Sequence, residues 1–116
     1  MLHLSIKISF MKIATTPSPP YVCAIFTSIR TSVDDGYNEM DKLTFKEIKS
    51  IDGYLGCESF RNKNGFGVNV SYWINLKALQ NWKENTLHKE AQQLGKEKWY
   101  KNYKLRICTV ERDYQK

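Results

Sequence analysis

Residues 21–30 read YVCAIFTSIR, a nearly unbroken apolar run rich in β-branched and aromatic side chains. A run of that length and composition is a strand. Alternation puts Tyr21, Cys23 and Ile25 on one face and Val22, Ala24 and Phe26 on the other. Both sets are apolar, so the strand has to be covered on both sides. The fold follows from asking what covers it.

Upstream stands TTPSPP (15–20), whose three prolines forbid regular pairing and make an extended N-terminal leader of residues 1–20. Met11 is a second candidate start, which would leave residues 1–10 as an extension without a role in the fold. The domain then spans residues 21–114. Downstream, Thr31 to Asp35 are cap-type residues, and Tyr37, Met40, Thr44, Ile48 and Ile51 recur at helical spacing until Asp52-Gly53 ends the run. YLGCESFR (54–61) and FGVNVSYWI (66–74) flank NKNG, where Asn64-Gly65 is expected to supply the positive φ angles of a tight reversal and make a hairpin. In its second strand Phe66, Val68, Val70, Tyr72 and Ile74 share a face opposite Asn69, Ser71 and Trp73.

A second helical region is expected from about Leu76 to Lys98, with a break and recap at Asn85-Thr86, and KLRICTVERDY (104–114) reads as the last strand. The order β-α-β-β-α-β predicts a ferredoxin-like α+β fold: a four-stranded antiparallel sheet with both helices on one face. The opposite face, with apolar side chains of the first strand on it, has no cover within the chain. Such a face is rarely left open, and a second copy in a homodimer is its natural lid.

Composition narrows the function. The 116 residues are one domain's length, and 41% hydrophobic content suffices for a core without disulfides. The net charge of +6 comes from 18 basic and 12 acidic residues, too mixed to argue for nucleic acid. Lys96, Lys98, Lys101, Lys104 and Arg106 cluster beside Trp99, Tyr100 and Tyr103, which reads as a solvated helix end with aromatics buried beneath it. Cys23, Cys57 and Cys108 have no metal-ligand spacing and predict reduced thiols in a cytoplasmic protein. No stretch approaches the ~20 apolar residues of a membrane span.

IFTSIRT, GYNEM, GYLGCES, GFGVNVSYW, LKALQNWKENTLHKEAQQLGKEKWY and ICTVERDY together resemble the antibiotic biosynthesis monooxygenase family, across about residues 21 to 114. The most specific element is the series Trp82, His88, Gln92, Gly95, Trp99-Tyr100. The resemblance implies a dimeric α/β barrel with a cleft between helices and sheet that takes planar aromatic molecules. It also implies oxidation of phenols to quinones by molecular oxygen without metal, flavin or other cofactor. A haem-degrading branch is disfavoured: it needs an asparagine on the first strand, absent from Tyr21 to Arg30, and an axial histidine where Gln92 stands, ten residues after Trp82.

On a helix, His88, Gln92, Gly95 and Trp99 form one stripe beside Leu87, Ala91 and Leu94. Gly95 inside a helix costs about 1 kcal/mol relative to alanine, which suggests close approach of a strand or a ligand. His88 is the candidate catalytic base, since an ordinary imidazole pKa near ~6.5 suits proton transfer at neutral pH. Trp82, Trp99 and Tyr72 are candidate slot-lining residues, with Gln92 and Asn81 as hydrogen-bond partners for the substrate. Tyr72 and Trp73 point to opposite faces, so at most one lines a given cleft. Arg30 is expected to pair with Glu39 or Asp41, or else with a substrate anion. The resulting expectation is a cofactor-independent monooxygenase acting on a small aromatic or quinol, with a non-catalytic ligand-binding or sensor dimer as the alternative and haem binding through His88 as a weaker one.

Overall fold

The computed structural model describes residues 12–116; the expectations for residues 1–10 and Met11 lie outside them. The elements are β1 (Tyr21–Arg30), α1 (Tyr37–Ile48), β2 (Tyr54–Arg61), β3 (Phe66–Trp73), α2 (Leu76–Lys83), α3 (Thr86–Leu94), a π-helical turn (Gly95–Trp99) and β4 (Tyr100–Val110). The strands form one antiparallel sheet in the order β2-β3-β1-β4. Strand β1 lies inside it, as its two apolar faces require.

The ferredoxin-like arrangement is present, but the barrel is not. The sheet is open: β2 pairs only with β3 and β4 only with β1, so the two edges never meet. Four twisted strands are too few to curl into a closed cylinder. The expected dimeric α/β barrel is therefore corrected to an open sheet with helices on one side.

Register settles which residues face the helices. Val22, Ala24, Phe26 and Ser28 of β1 lie opposite Trp73, Ser71, Asn69 and Gly67 of β3, and Ser71 and Asn69 lie opposite Cys57 and Ser59 of β2. Directly opposed residues share a face. Val22, Ala24 and Trp73 pack with Ile48, Ala78, Leu79 and Trp82 in one core cluster, which identifies this as the helix side. A second cluster, Tyr37, Met40 and Trp99, lies apart from the first. The core is thus in two pieces.

Local chemistry explains the breaks. Asn75 caps α2 by accepting from the Ala78 N–H, and Asn85 caps α3 by accepting from the His88 N–H. The expected recap at Asn85-Thr86 is where it was placed, between two short helices. The hairpin turn differs from expectation. Only Gly65 has a positive φ, 93°, and Asn62 shapes the loop by accepting from the N–H groups of Asn64 and Phe66. The loop is the four residues Asn62 to Gly65 that the sequence places between the strands, but Asn64 has no positive φ and the Asn62 side chain closes the turn instead.

On the far face the leader returns to the sheet. The Ala14 N–H donates to Glu58, Thr16 donates to the Tyr21 hydroxyl, and Tyr21 donates to Asp113. Tyr21 and Cys23 are buried there. Phe60 and Phe66 on the same face are 73% and 48% exposed. No helix among the described residues is long and apolar enough to cross a membrane.

Candidate functional site

Between the two core clusters lies a cavity of about 390 Å3. Its floor is the helix side of the sheet, with Ala24, Phe26, Ser59, Arg61, Asn69 and Ser71. Tyr37 and Thr44 of α1, Trp82 of α2, His88 and Gln92 of α3, and Tyr100 of β4 complete the walls. It is partly open to solvent and its floor is polar, so water or a ligand can fill it, and its volume lies within the ~300–1,000 Å3 of ligand pockets.

Of the residues expected at a site, Trp82, His88 and Gln92 line this cavity. The His88 ring lies on the Trp82 indole, 4.3 Å between centroids and 16° from parallel. His88 Nδ1 is 3.1 Å from the Trp82 carbonyl oxygen. A carbonyl only accepts, so Nδ1 carries the hydrogen and Nε2 keeps its lone pair. The Gln92 side-chain amide lies 3.2 Å from the same Nδ1, and with Nδ1 protonated only the amide oxygen can bond to it there. Burial lowers the His88 pKa to about 4, with Lys83 adding to the shift and the Trp82 carbonyl opposing it. The imidazole is neutral at pH 7 and a far weaker base than an ordinary histidine. It is suited to accept a hydrogen bond.

Trp99, Tyr72 and Asn81 lie elsewhere. Trp99 is buried against Tyr37, with its indole N–H donating to the Asp35 carbonyl. The π turn is the reason: its wider winding rotates Trp99 out of the stripe formed by His88 and Gln92. Tyr72 sits on the far face and donates to Glu58. Asn81 is exposed on α2. Trp73 is on the helix side but completely buried, filling the core rather than lining the cavity. Gly95 is approached by the strand, since a Cβ there would lie 2.8 Å from the Tyr100 ring. Arg30 pairs with Asp34 rather than with Glu39 or Asp41 and lies 3.4 Å over the Tyr37 ring. Among the described residues no three His, Cys, Asp or Glu side chains are grouped as a metal site.

The chain is 36% identical over 100 residues to the uncharacterized protein YqjZ of Bacillus subtilis, a match covering 86% of this chain and 88% of YqjZ. This chain belongs to the YqjZ family. Its fold is that of the antibiotic biosynthesis monooxygenases. SnoaB, a cofactor-independent oxygenase from Streptomyces nogalater, superposes on this YqjZ-family chain with a TM-score of 0.71 at 9% identity, covering 84% of this chain and 100% of SnoaB. Jasmonate monooxygenase ABM of Pyricularia oryzae is 30% identical over 80 residues, which are 66% of this chain but only 36% of that enzyme. No protein-family model matches the chain.

The sequence did not single out Arg61, Asn69, Ser71, Tyr37 or Tyr100 of this YqjZ-family site. The available signal was the β3 alternation, in which Asn69 and Ser71 oppose an apolar set. The polar set turns toward the helices, and polar side chains on a helix-covered face mark a cavity rather than a packed core.

Proposed function

We propose that this YqjZ-family protein binds a flat phenolic or quinol-type molecule in the helix–sheet cavity and oxidises it with molecular oxygen, as a cofactor-independent monooxygenase. The observation that carries the reading is the cavity itself, with stacked Trp82 and His88 on one wall and amide and hydroxyl groups on its floor. The fold shared with SnoaB supports it. The reaction is self-sufficient in electrons. A phenol and O2 give a quinone and water: one oxygen atom enters the ring, the other leaves as water, and both hydrogens come from the substrate's O–H and C–H. Ionisation of the phenol is the step the protein has to assist. In this reading His88 Nε2 accepts the hydroxyl's hydrogen bond, and the Asn69 amide and Ser71 hydroxyl stabilise the developing oxyanion. Because a histidine with a pKa near 4 does not hold a proton at neutral pH, it orients the hydroxyl, and the phenolic proton passes to solvent and is balanced by the water formed from O2.

His88→Phe keeps a ring on Trp82 and removes both nitrogens. It is expected to lower oxygen uptake with a hydroquinone such as 1,4-dihydroxynaphthalene by roughly tenfold, the worth of about one hydrogen bond. Oxygen-electrode rates equal in the two proteins would remove His88 from the mechanism. Binding without oxygen uptake across a phenol panel would make the protein a sequestering or sensing module.

The same reading includes a homodimer, with a second copy on the far face of the sheet. Half-buried Ile25, Ile29, Val68 and Val70 join exposed Phe60 and Phe66 there in one apolar area, away from the contacts of Ala14 and Thr16. A self-complementary face is what a two-fold axis requires. Phe60→Asp is expected to shift micromolar protein from dimer to monomer in sedimentation velocity. A wild type that sediments as a monomer at that concentration would end the dimer reading.

A further inference from the structure

We infer that the cavity's substrate carries an anionic group, most simply a ring carboxylate, and that Arg61 is its seat. The inference rests on the cavity being the binding site and names the class of molecule it takes. Arg61 ends β2 on the helix side of the sheet, and its side chain lines the cavity. Its guanidinium is held in place entirely by neutral oxygens. Nη1 donates to the Gly65 carbonyl at 2.6 Å and to the Ser28 carbonyl at 3.4 Å, and Nη2 donates to the Ser28 hydroxyl at 2.7 Å. Among the described residues no carboxylate lies within ion-pair distance of it. These bonds fix the plane of the guanidinium and leave N–H groups and a full positive charge unmatched.

The neighbouring backbone is cut to receive it. Gly67 is buried, and a Cβ at that position would lie 2.7 Å from Arg61 Cζ and 2.9 Å from Nη1. The guanidinium therefore lies flat on β3 in space that only glycine leaves open. The Tyr100 ring stands 5.9 Å from Cζ, and Phe26 and Tyr103 pack on that ring and on each other. A cation fixed beside a cluster of aromatic rings recognises a flat molecule with a negative substituent. Lys83 and Lys96 also line the cavity, so among the described lining residues three cationic side chains stand with one carboxylate, that of Asp41. Arginine suits a carboxylate because its fork matches the two oxygens.

The test is calorimetric titration under argon, which separates binding from turnover. The probes are 1,4-dihydroxy-2-naphthoate and its methyl ester, which share ring and hydroxyls and differ in charge. Wild type is expected to bind the acid roughly tenfold to hundredfold more tightly than the ester, the range of a hydrogen bond to a charged group. In Arg61→Gln the acid should fall to the ester's affinity while the ester is unchanged, and Arg61→Lys should keep part of the preference. If Arg61→Gln fails to fold, Gly67→Ala serves instead, since its methyl displaces the guanidinium. Equal binding of acid and ester by wild type, with oxygen uptake intact, overturns the seat and leaves the monooxygenase reading standing. A loss of both ligands together in Arg61→Gln overturns it too, as a purely structural role. Preference for the acid without oxygen uptake supports the seat and removes the catalytic reading. Failure of wild type to bind either probe overturns both.

Discussion

Trp73→Ala is expected to lower the unfolding free energy by about 3–5 kcal/mol, the range for removing a large buried aromatic side chain. Trp73 is completely buried, packed among Val22, Ile48, Ala78, Leu79 and Trp82. Its ring meets Tyr54 edge-on at 5.3 Å. It is the side chain that joins the sheet to α1 and α2, so the surrounding elements cannot close over the hole without losing their own contacts. Its indole N–H also donates to the Ser71 hydroxyl at 2.9 Å, and Ser71 is on the cavity floor. The variant should therefore lose ligand affinity as well as stability. Urea denaturation followed by far-UV circular dichroism reads the first quantity. For a domain of this size the loss corresponds to a drop in Tm of roughly 10–20 °C. A cost below about 1 kcal/mol would mean that Trp73 does not anchor the sheet to the helices as its burial indicates.

Acid should weaken the protein through His88, which sets a definite pH window. Its pKa is about 4 in the folded chain against 6.5 when unperturbed. Above pH 6.5 the imidazole is neutral in both states and contributes no slope. Between pH 6.5 and 4 the unfolded chain binds a proton that the folded chain refuses, so stability falls as pH falls. Below pH 4 the loss levels off at about 3 kcal/mol, since each unit of pKa difference is worth ~1.36 kcal/mol. His88→Phe removes the titrating ring and keeps an aromatic surface against Trp82. The difference between wild type and this variant, measured by urea denaturation at pH 7, 6, 5 and 4, cancels the carboxylates common to both. It should be flat above pH 6.5 and widen against the wild type below it. A difference that stays flat down to pH 4 would show that the ring is solvated, and that the wall of the cavity is open to water.

The parts of the molecule that are legible in sequence are those decided within a few residues of themselves. YVCAIFTSIR is a strand because of its own side chains, and the Tyr37, Met40, Ile48 stripe is a helix because of its own spacing. Asn85 stops one helix and starts another through a bond to the His88 N–H three residues on. Half of the expected site follows for nearly the same reason: His88 and Gln92 lie one turn apart on α3, and the Asn85 break lets the His88 ring stack on Trp82 of α2, so all three reach the cavity. Trp99 fails to join them because the π turn changes the winding after Leu94. No local pattern announces that turn; it is fixed by Trp99 docking on Tyr37 and by the Tyr100 ring lying on Gly95.

By itself, then, the sequence determined the order of strands and helices and the two faces of the first three strands, but not the π turn after Leu94 or the last strand's bounds, which are Tyr100–Val110 rather than 104–114. Tertiary structure alone decided which face became the cavity floor, that the sheet stays open at β2 and β4, and that Arg61 lies across Gly67. The physical reason is a difference in range. Period and capping are written in neighbouring residues, whereas a face acquires an inside only when helices that are distant in sequence choose one side of it.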